Sequence, residues 1–150
     1  FHEPKFKTPT GKARYRSVAI PETDGDPGAL RLMTIRSEGQ FNTVVYEEED
    51  IYRGQERRDV ILMSRADIAR LGLRVDQRVT VTSEAGRMMN ILVRVIDIAP
   101  GNAAMYFPEA NVLVPAVVDP ASKTPAFKSV RVTVTPMDAP TPERVALQLV

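Results

Sequence analysis

"QRVTVTSEAGRMMNILVRVIDI", residues 77–98, holds two β-rich runs around a turn at Glu84–Gly86. Valine, threonine and isoleucine crowd both runs, and Ser, Glu, Ala and Gly separate them, which is the pattern of a β-hairpin. Upstream, "SRADIARLGL" (64–73) has the period of a short helix. Ser64 stands as N-cap with Asp67 three residues later, Ile68 and Leu71 share a face, and Gly72 is a natural stop. Before it, "DVILM" (59–63) reads as a short strand, and "LRLMTIR" (30–36) as another, with Leu30, Leu32 and Thr34 alternating against Arg31, Met33 and Ile35. Downstream, "NVLV" (111–114) and "SVRVTV" (129–134) are expected to be strands, with Val130, Val132 and Val134 facing one way. Several short strands, one brief helix and no βαβ rhythm predict a mainly β fold, a closed barrel with one or two short helices.

The chain divides into a proline-rich lead-in arm (1–29), a barrel (30–135) and a proline-broken C-terminal tail (136–150). Its 150 residues suit one core, and the apolar share of 43% is that of a globular chain. No stretch reaches membrane-spanning length, so no membrane partner is expected. Lys plus Arg (20) nearly balance Asp plus Glu (19), which argues against a dedicated nucleic-acid binder. There is no cysteine, and the single histidine, His2, lies at the chain end. Cysteine-ligated metals, a cysteine nucleophile and disulfides are excluded within this chain, and serine–histidine catalysis would rest on His2 alone. The lack of cysteine fits a cytoplasmic setting. No signal-peptide pattern is visible, and a start at Phe1 rather than Met points to sequence upstream.

Two loops carry polar groups beside strand ends. "TIRSEGQFNT" (34–43) breaks its alternation at Arg36 and continues with Ser37, Gly39, Gln40 and Asn42. A guanidinium, two amides and free backbone N–H groups suit phosphate oxygens and heterocycle edges, but the same residues also make an ordinary surface turn. "PEANVLVPAVVDPASKTPAFK" (108–128) sets Asn111 between Pro108 and Pro115 and ends in Phe127 and Lys128. Its prolines lower the entropy cost of holding a loop open, and Lys128 supplies a point charge. The first loop has Gly39 and no proline, and is expected to be the looser of the two. The acidic run Glu47–Asp50 lacks calcium-loop spacing and is followed by Arg53, Arg57 and Arg58, so local charge pairing is its reading. "TPTGKARY" (8–15) lacks full phosphate-loop spacing. The residues predict neither a catalytic set nor a metal site.

Five segments in order, "TPTGK" (8–12), "LRLMTIR…GQFNT" (30–43), "DVILMSRADIARLGL" (59–73), "PG…YFPEANVLVP" (100–115) and "DPASKTPAFK" (119–128), resemble the C-terminal cofactor-binding domain of the molybdopterin oxidoreductases. Within that family, "QFNT", "DIYRG", "RRDV" and "YFPEANVLVP" look closest to formate-dehydrogenase-like alpha subunits. The resemblance implies a double-psi β-barrel and a molybdopterin guanine dinucleotide, its molybdenum or tungsten held by other domains. Iron–sulfur clusters would lie elsewhere in the full chain. It implies cofactor contacts at Thr34, Arg36, Gln40, Asn42, Asn111, Phe127 and Lys128, and partners in the remaining domains of the same chain. The domain alone would be catalytically inert. Phe127 departs from the tyrosine of many relatives, and "LRVDQRV" (73–79) departs from the usual Gly–Asp turn. Two other barrel functions are weighed beside it. A self-processing decarboxylase needs a Gly–Ser bond, which the sequence lacks. A free-standing peptide- or protein-binding adaptor needs a large exposed apolar groove.

Overall fold

In the computed structural model, which describes residues 3, 5–19 and 26–137, strand alternation builds the core. The strands are β1 (Leu30–Ile35), β2 (Val60–Met63), β3 (Arg78–Thr82), β4 (Arg87–Val95), β5 (Asn102–Tyr106) and β6 (Val130–Pro136). Leu30, Leu32 and Thr34 of β1 and Val130, Val132 and Val134 of β6 point inward as their period of two requires. β2 is buried along its whole length, which its unbroken apolar run anticipates. Ile61 and Met63 enter the barrel interior, while Val60 and Leu62 join Leu92, Ala104 and Tyr106 in a second cluster.

The strands close in the order β1-β5-β2-β4-β3-β6. β1 runs parallel to β5, with Arg31 opposite Asn102 and Ile35 opposite Tyr106. β2 runs parallel to β4, with Val60 opposite Leu92. The other four neighbour pairs are antiparallel. Exchanging β1 with β4, β2 with β5 and β3 with β6 maps every pair onto a pair of the same sense, so the barrel is an internal two-fold of two three-stranded halves. This is the double-psi arrangement, mainly β with one short α-helix. No helix among the described residues is long and apolar enough to cross a membrane.

Two expectations change. Residues 111–114 are not a strand but the end of a 3-10 helix, Glu109–Leu113. A four-residue apolar run has no period to separate the two states, and Pro108 starts the turn that Asn111 N–H closes onto its carbonyl. β5 was not evident in the sequence, because "NAAMY" has two alanines and little β propensity. Ala103 and Ala104 are buried between β1 and β2, where small side chains let the neighbours close on both faces. The described part of the arm, residues 5–19, has no helix or strand and is mostly exposed. His2, the run 21–25 and the tail beyond Met137 lie outside the described residues.

The helix α1 (Arg65–Arg70) forms as its caps dictate. Ser64 Oγ accepts from Asp67 N–H at 3.0 Å, and Gly72 takes a φ of 65° at the stop. Asp67, buried, accepts further bonds from Ser64 Oγ at 2.8 Å, Arg70 at 2.7 Å and the N–H of Gly101 at 2.8 Å. Burial alone would raise its carboxyl, but the bonds from Arg70, Ser64 and Gly101 hold it below the usual range. One carboxylate thus ties the helix to the β4–β5 connection. Asp67→Ala is expected to cost about 1–3 kcal/mol of unfolding free energy, because it leaves the Gly101 N–H and the Ser64 hydroxyl without their acceptor. Ser64→Ala should cost only about 1 kcal/mol. Urea titrations read both from the midpoint at unchanged slope.

Candidate functional site

Because β1 and β5 are parallel neighbours, the loops that leave them emerge at the same end of the barrel. Phe107 N–H donates to the Ile35 carbonyl at 2.8 Å, and Thr34 N–H donates to the Phe127 carbonyl at 2.9 Å. Lys128 Nζ donates to the Thr34 carbonyl. Segments 34–42, 107 and 127–128 therefore meet around the end of β1. Arg36 is exposed; it donates to Asn42 Oδ1 at 2.8 Å, and its guanidinium lies 5.6 Å from the centre of the Phe107 ring. Asn42 holds a left-handed φ of 52°, a conformation asparagine tolerates better than most residues.

Beneath these groups lies Arg58, only 3% exposed. Its Nε and one amino group reach the Glu109 carboxylate at 2.7 and 3.3 Å. The two amino groups also donate to Ser37 Oγ at 2.8 Å, the Glu47 carbonyl at 3.1 Å, Gln40 Oε1 at 3.1 Å and the Phe107 carbonyl at 2.6 Å, one N–H being shared between acceptors. The guanidinium is flanked by the rings of Tyr46 and Tyr106, centred 4.2 and 4.9 Å away. Tyr46 donates its hydroxyl to Glu109, and Tyr106 donates to Asp50 Oδ2 at 2.7 Å, which also accepts from Arg53 at 2.6 Å. Arg53 donates in turn to the Arg36 carbonyl at 3.1 Å. The loop 36–43 is thereby bonded from below through buried Ser37 and Gln40. Sequence spacing could not show partners that lie far away along the chain.

Of the seven residues singled out in the sequence, six come together. Arg36, Asn42 and Lys128 are exposed there, and Phe127 is half-buried. Thr34 and Gln40 are buried and shape the site from within; the Gln40 amide donates to the Asn42 and Phe107 carbonyls at 2.9 and 2.8 Å. Asn111 is exposed on the Glu109–Leu113 helix and joins the group only through Glu109. Arg58, Phe107 and Glu109 were missed as site residues. The one cue for Arg58 was an arginine standing directly before a wholly apolar strand. Local charge pairing accounts for one member of the acidic run, Asp50 with Arg53; Arg57 and Arg58 take carboxylates outside the run, Asp59 and Glu109. No group of three metal-ligating side chains occurs among the described residues.

Seven arginines among the described residues have carboxylate partners: Arg53, Arg57, Arg58, Arg70, Arg78, Arg94 and Arg131. Arg36 and Lys128 have none in that set, nor have nine other described cations, and what distinguishes these two is their place at the end of β1. Two unneutralised cations beside exposed amides make an anion-attracting patch. The proline loop builds something else. Its Pro115, Val117, Val118 and Pro125 face the outer side of β6, where Arg131 and Thr133 point, across a groove of about 960 Å3, which none of the seven candidate residues lines.

A family model described as the molydopterin dinucleotide binding domain matches residues 30–131. An uncharacterized oxidoreductase of Mycobacterium bovis is 37% identical over 143 residues, covering 88% of this chain and 18% of the relative. Protein YdeP of Escherichia coli K12 is 30% identical over 146 residues, covering 89% of this chain and 19% of its own length. The chain thus spans less than a fifth of the curated relatives it matches. Among solved structures, acetylene hydratase from Pelobacter acetylenicus aligns with a TM-score of 0.53 at 16% identity, over 70% of this chain and 18% of that one, a likeness of fold.

The carboxylates of this network give a pH signature. Burial would raise Glu109 and Asp50, but bonds from Arg58 and Tyr46 to the first, and from Arg53 and Tyr106 to the second, hold both below their ordinary values. Groups lowered by folding contribute stability above the unfolded value, about pH 4, and lose it as pH falls through the folded value. The thermal midpoint is expected to be level between about pH 7 and pH 5 and to fall below about pH 4. Glu109→Gln should make that acid slope shallower, as measured by calorimetry across the series.

Proposed function

The chain belongs to the molydopterin dinucleotide binding domain family, and from that premise we propose that it forms one wall of a molybdopterin guanine dinucleotide site in a larger oxidoreductase. The observation that carries this reading is the pair of unneutralised cations, Arg36 and Lys128, set beside Asn42 at the end of β1. Cations with planar and point-charge geometry fit phosphate oxygens, and exposed amides fit the edges of a heterocycle. Arg36 and Lys128 would hold the pyrophosphate, and Asn42, Asn111 and Phe127 the pterin part, while Thr34 and Gln40 keep the loop backbone in place. The bound metal would supply the redox chemistry; this chain binds and orients. The metal ligand, any iron–sulfur cluster and the substrate funnel belong to the remaining domains of the same polypeptide, and the isolated chain is inert.

The closer resemblance of "QFNT", "DIYRG" and "YFPEANVLVP" supports a formate-dehydrogenase-like cytoplasmic enzyme as the whole. Formate-dependent dye reduction by the full-length protein tests that, with nitrate and sulfoxide as the competing substrates. The groove under the proline loop favours a second reading, a barrel that binds peptides or proteins as an adaptor.

Cofactor content separates the two. In the full-length enzyme, Arg36→Ala, Lys128→Ala and Asn111→Ala should each lower molybdenum and pterin content while the barrel stays folded. A lost bond to a charged group is worth about 1.5–3 kcal/mol, or roughly ten- to a hundredfold in retention. Wild-type content in all three variants would overturn the site and leave the adaptor reading standing.

A further inference from the structure

We propose that Arg58 is the positioning residue of the cofactor-facing loops: out of reach of the cofactor itself, it sets the loops' geometry before anything binds. The proposal rests on the site assignment above. Arg58 leaves the chain just ahead of β2, where Asp59 accepts from Leu92 N–H at 2.9 Å and the ladder to β4 begins. Its base is therefore a strand of the closed barrel, and its head reaches two connections at once. It holds the β1–β2 connection at Ser37, Gln40 and Glu47, the end of β5 at Phe107, and the following helix at Glu109.

The chain of placement to the exposed groups is short. Arg58 holds Gln40, Gln40 donates to the Asn42 carbonyl, and the Asn42 side chain receives Arg36. On the other side Arg58 and Gln40 share the Phe107 carbonyl, and the Phe107 ring lies under the Arg36 guanidinium. The Glu109–Leu113 helix is braced at its far side as well. A Cβ on Gly86, in the β3–β4 turn, would meet the Val112 carbonyl oxygen at 2.5 Å, so turn and helix are in close backbone contact.

The geometry asks for arginine specifically. All five guanidinium donors have acceptors, and the group also lies over two tyrosine rings. Lysine has three donors on a flexible stem and would leave buried acceptors without partners. Arg58→Lys is thus a sensitive probe that keeps the charge.

The experiment uses the full-length enzyme, prepared without cofactor for amide hydrogen exchange and with cofactor for metal and pterin analysis. For Arg58→Lys, exchange in 36–43 and 107–114 should be at least about tenfold faster, and that in the hairpin 77–98 unchanged, as expected for local opening. Its pterin content should fall with it. Lys128→Ala, a contact variant, should lose pterin with loop exchange unchanged. Glu109→Gln gives the same pattern as Arg58→Lys at smaller amplitude, and serves if the lysine variant does not fold. Equal acceleration in loops and hairpin, or none in either, would overturn the proposal. So would faster loops with normal pterin in Arg58→Lys while Lys128→Ala loses it. Normal pterin in both variants, with the loops of Arg58→Lys faster, would instead overturn the site assignment, and the positioning role with it.

Discussion

The desolvated guanidinium of Arg58 is the constraint around which the loops at the end of β1 and β5 are arranged. A charge 3% exposed is tolerated only when it is paired and its donors are bonded. That requirement engages Glu109 beyond the end of β5, holds Ser37 and Gln40 in the interior, and sets the guanidinium over two tyrosine rings. An ion pair of this kind adds little net stability over a well-packed apolar substitute. Its return is geometric. Loops that leave different strands acquire one common floor.

Topology explains why the floor lies where it does. The internal two-fold equates the connection 36–59 with 96–101, and 64–77 with 107–129. Parallel neighbours send their outgoing connections to the same end, so 36–59 and 107–129, following β1 and β5, emerge together. The equivalent pair follows β4 and β2, and emerges together elsewhere. There the connections are short, or occupied by α1, whose Asp67 clasps Gly101. The same frame has thus been elaborated at one end and closed down at the other. At the closed end a buried carboxylate gathers the donors; at the open end a buried cation gathers the acceptors.

What could be read in the sequence follows this division. Alternation revealed β1 and β6, because one face of each is buried, and β-rich composition around a turn revealed β3 and β4. The helix was legible from its cap, Ser64 with Asp67, and its stop at Gly72, since those are local effects. β5 was not, because its alanines are chosen for close approach and not for strand propensity. Residues 111–114 failed for want of length: Leu113 is buried and Val112 exposed, which suits a strand or a turn of helix equally. At the site, the exposed groups Arg36, Asn42 and Lys128 could be picked from polar loops at strand ends. The buried partners could not, because Arg58 meets Glu109 across the fold and nothing in local composition announces it.

The separation of buried and exposed charge carries the last step. Arginines that serve the fold are matched to carboxylates, from Arg53 with Asp50 to Arg70 with Asp67. Arg36 and Lys128 are held in place by neutral groups, an amide oxygen and a backbone carbonyl, which orient a cation without cancelling it. Two like charges kept near one another in water repel only weakly, because solvent and salt screen them. An incoming anion displaces that solvent, and the attraction then acts in a less polar setting. With the backbone beneath already bonded to Arg58, little chain entropy remains to be lost on binding. The orienting groups are spent on the protein, and the charge stays available to an anion.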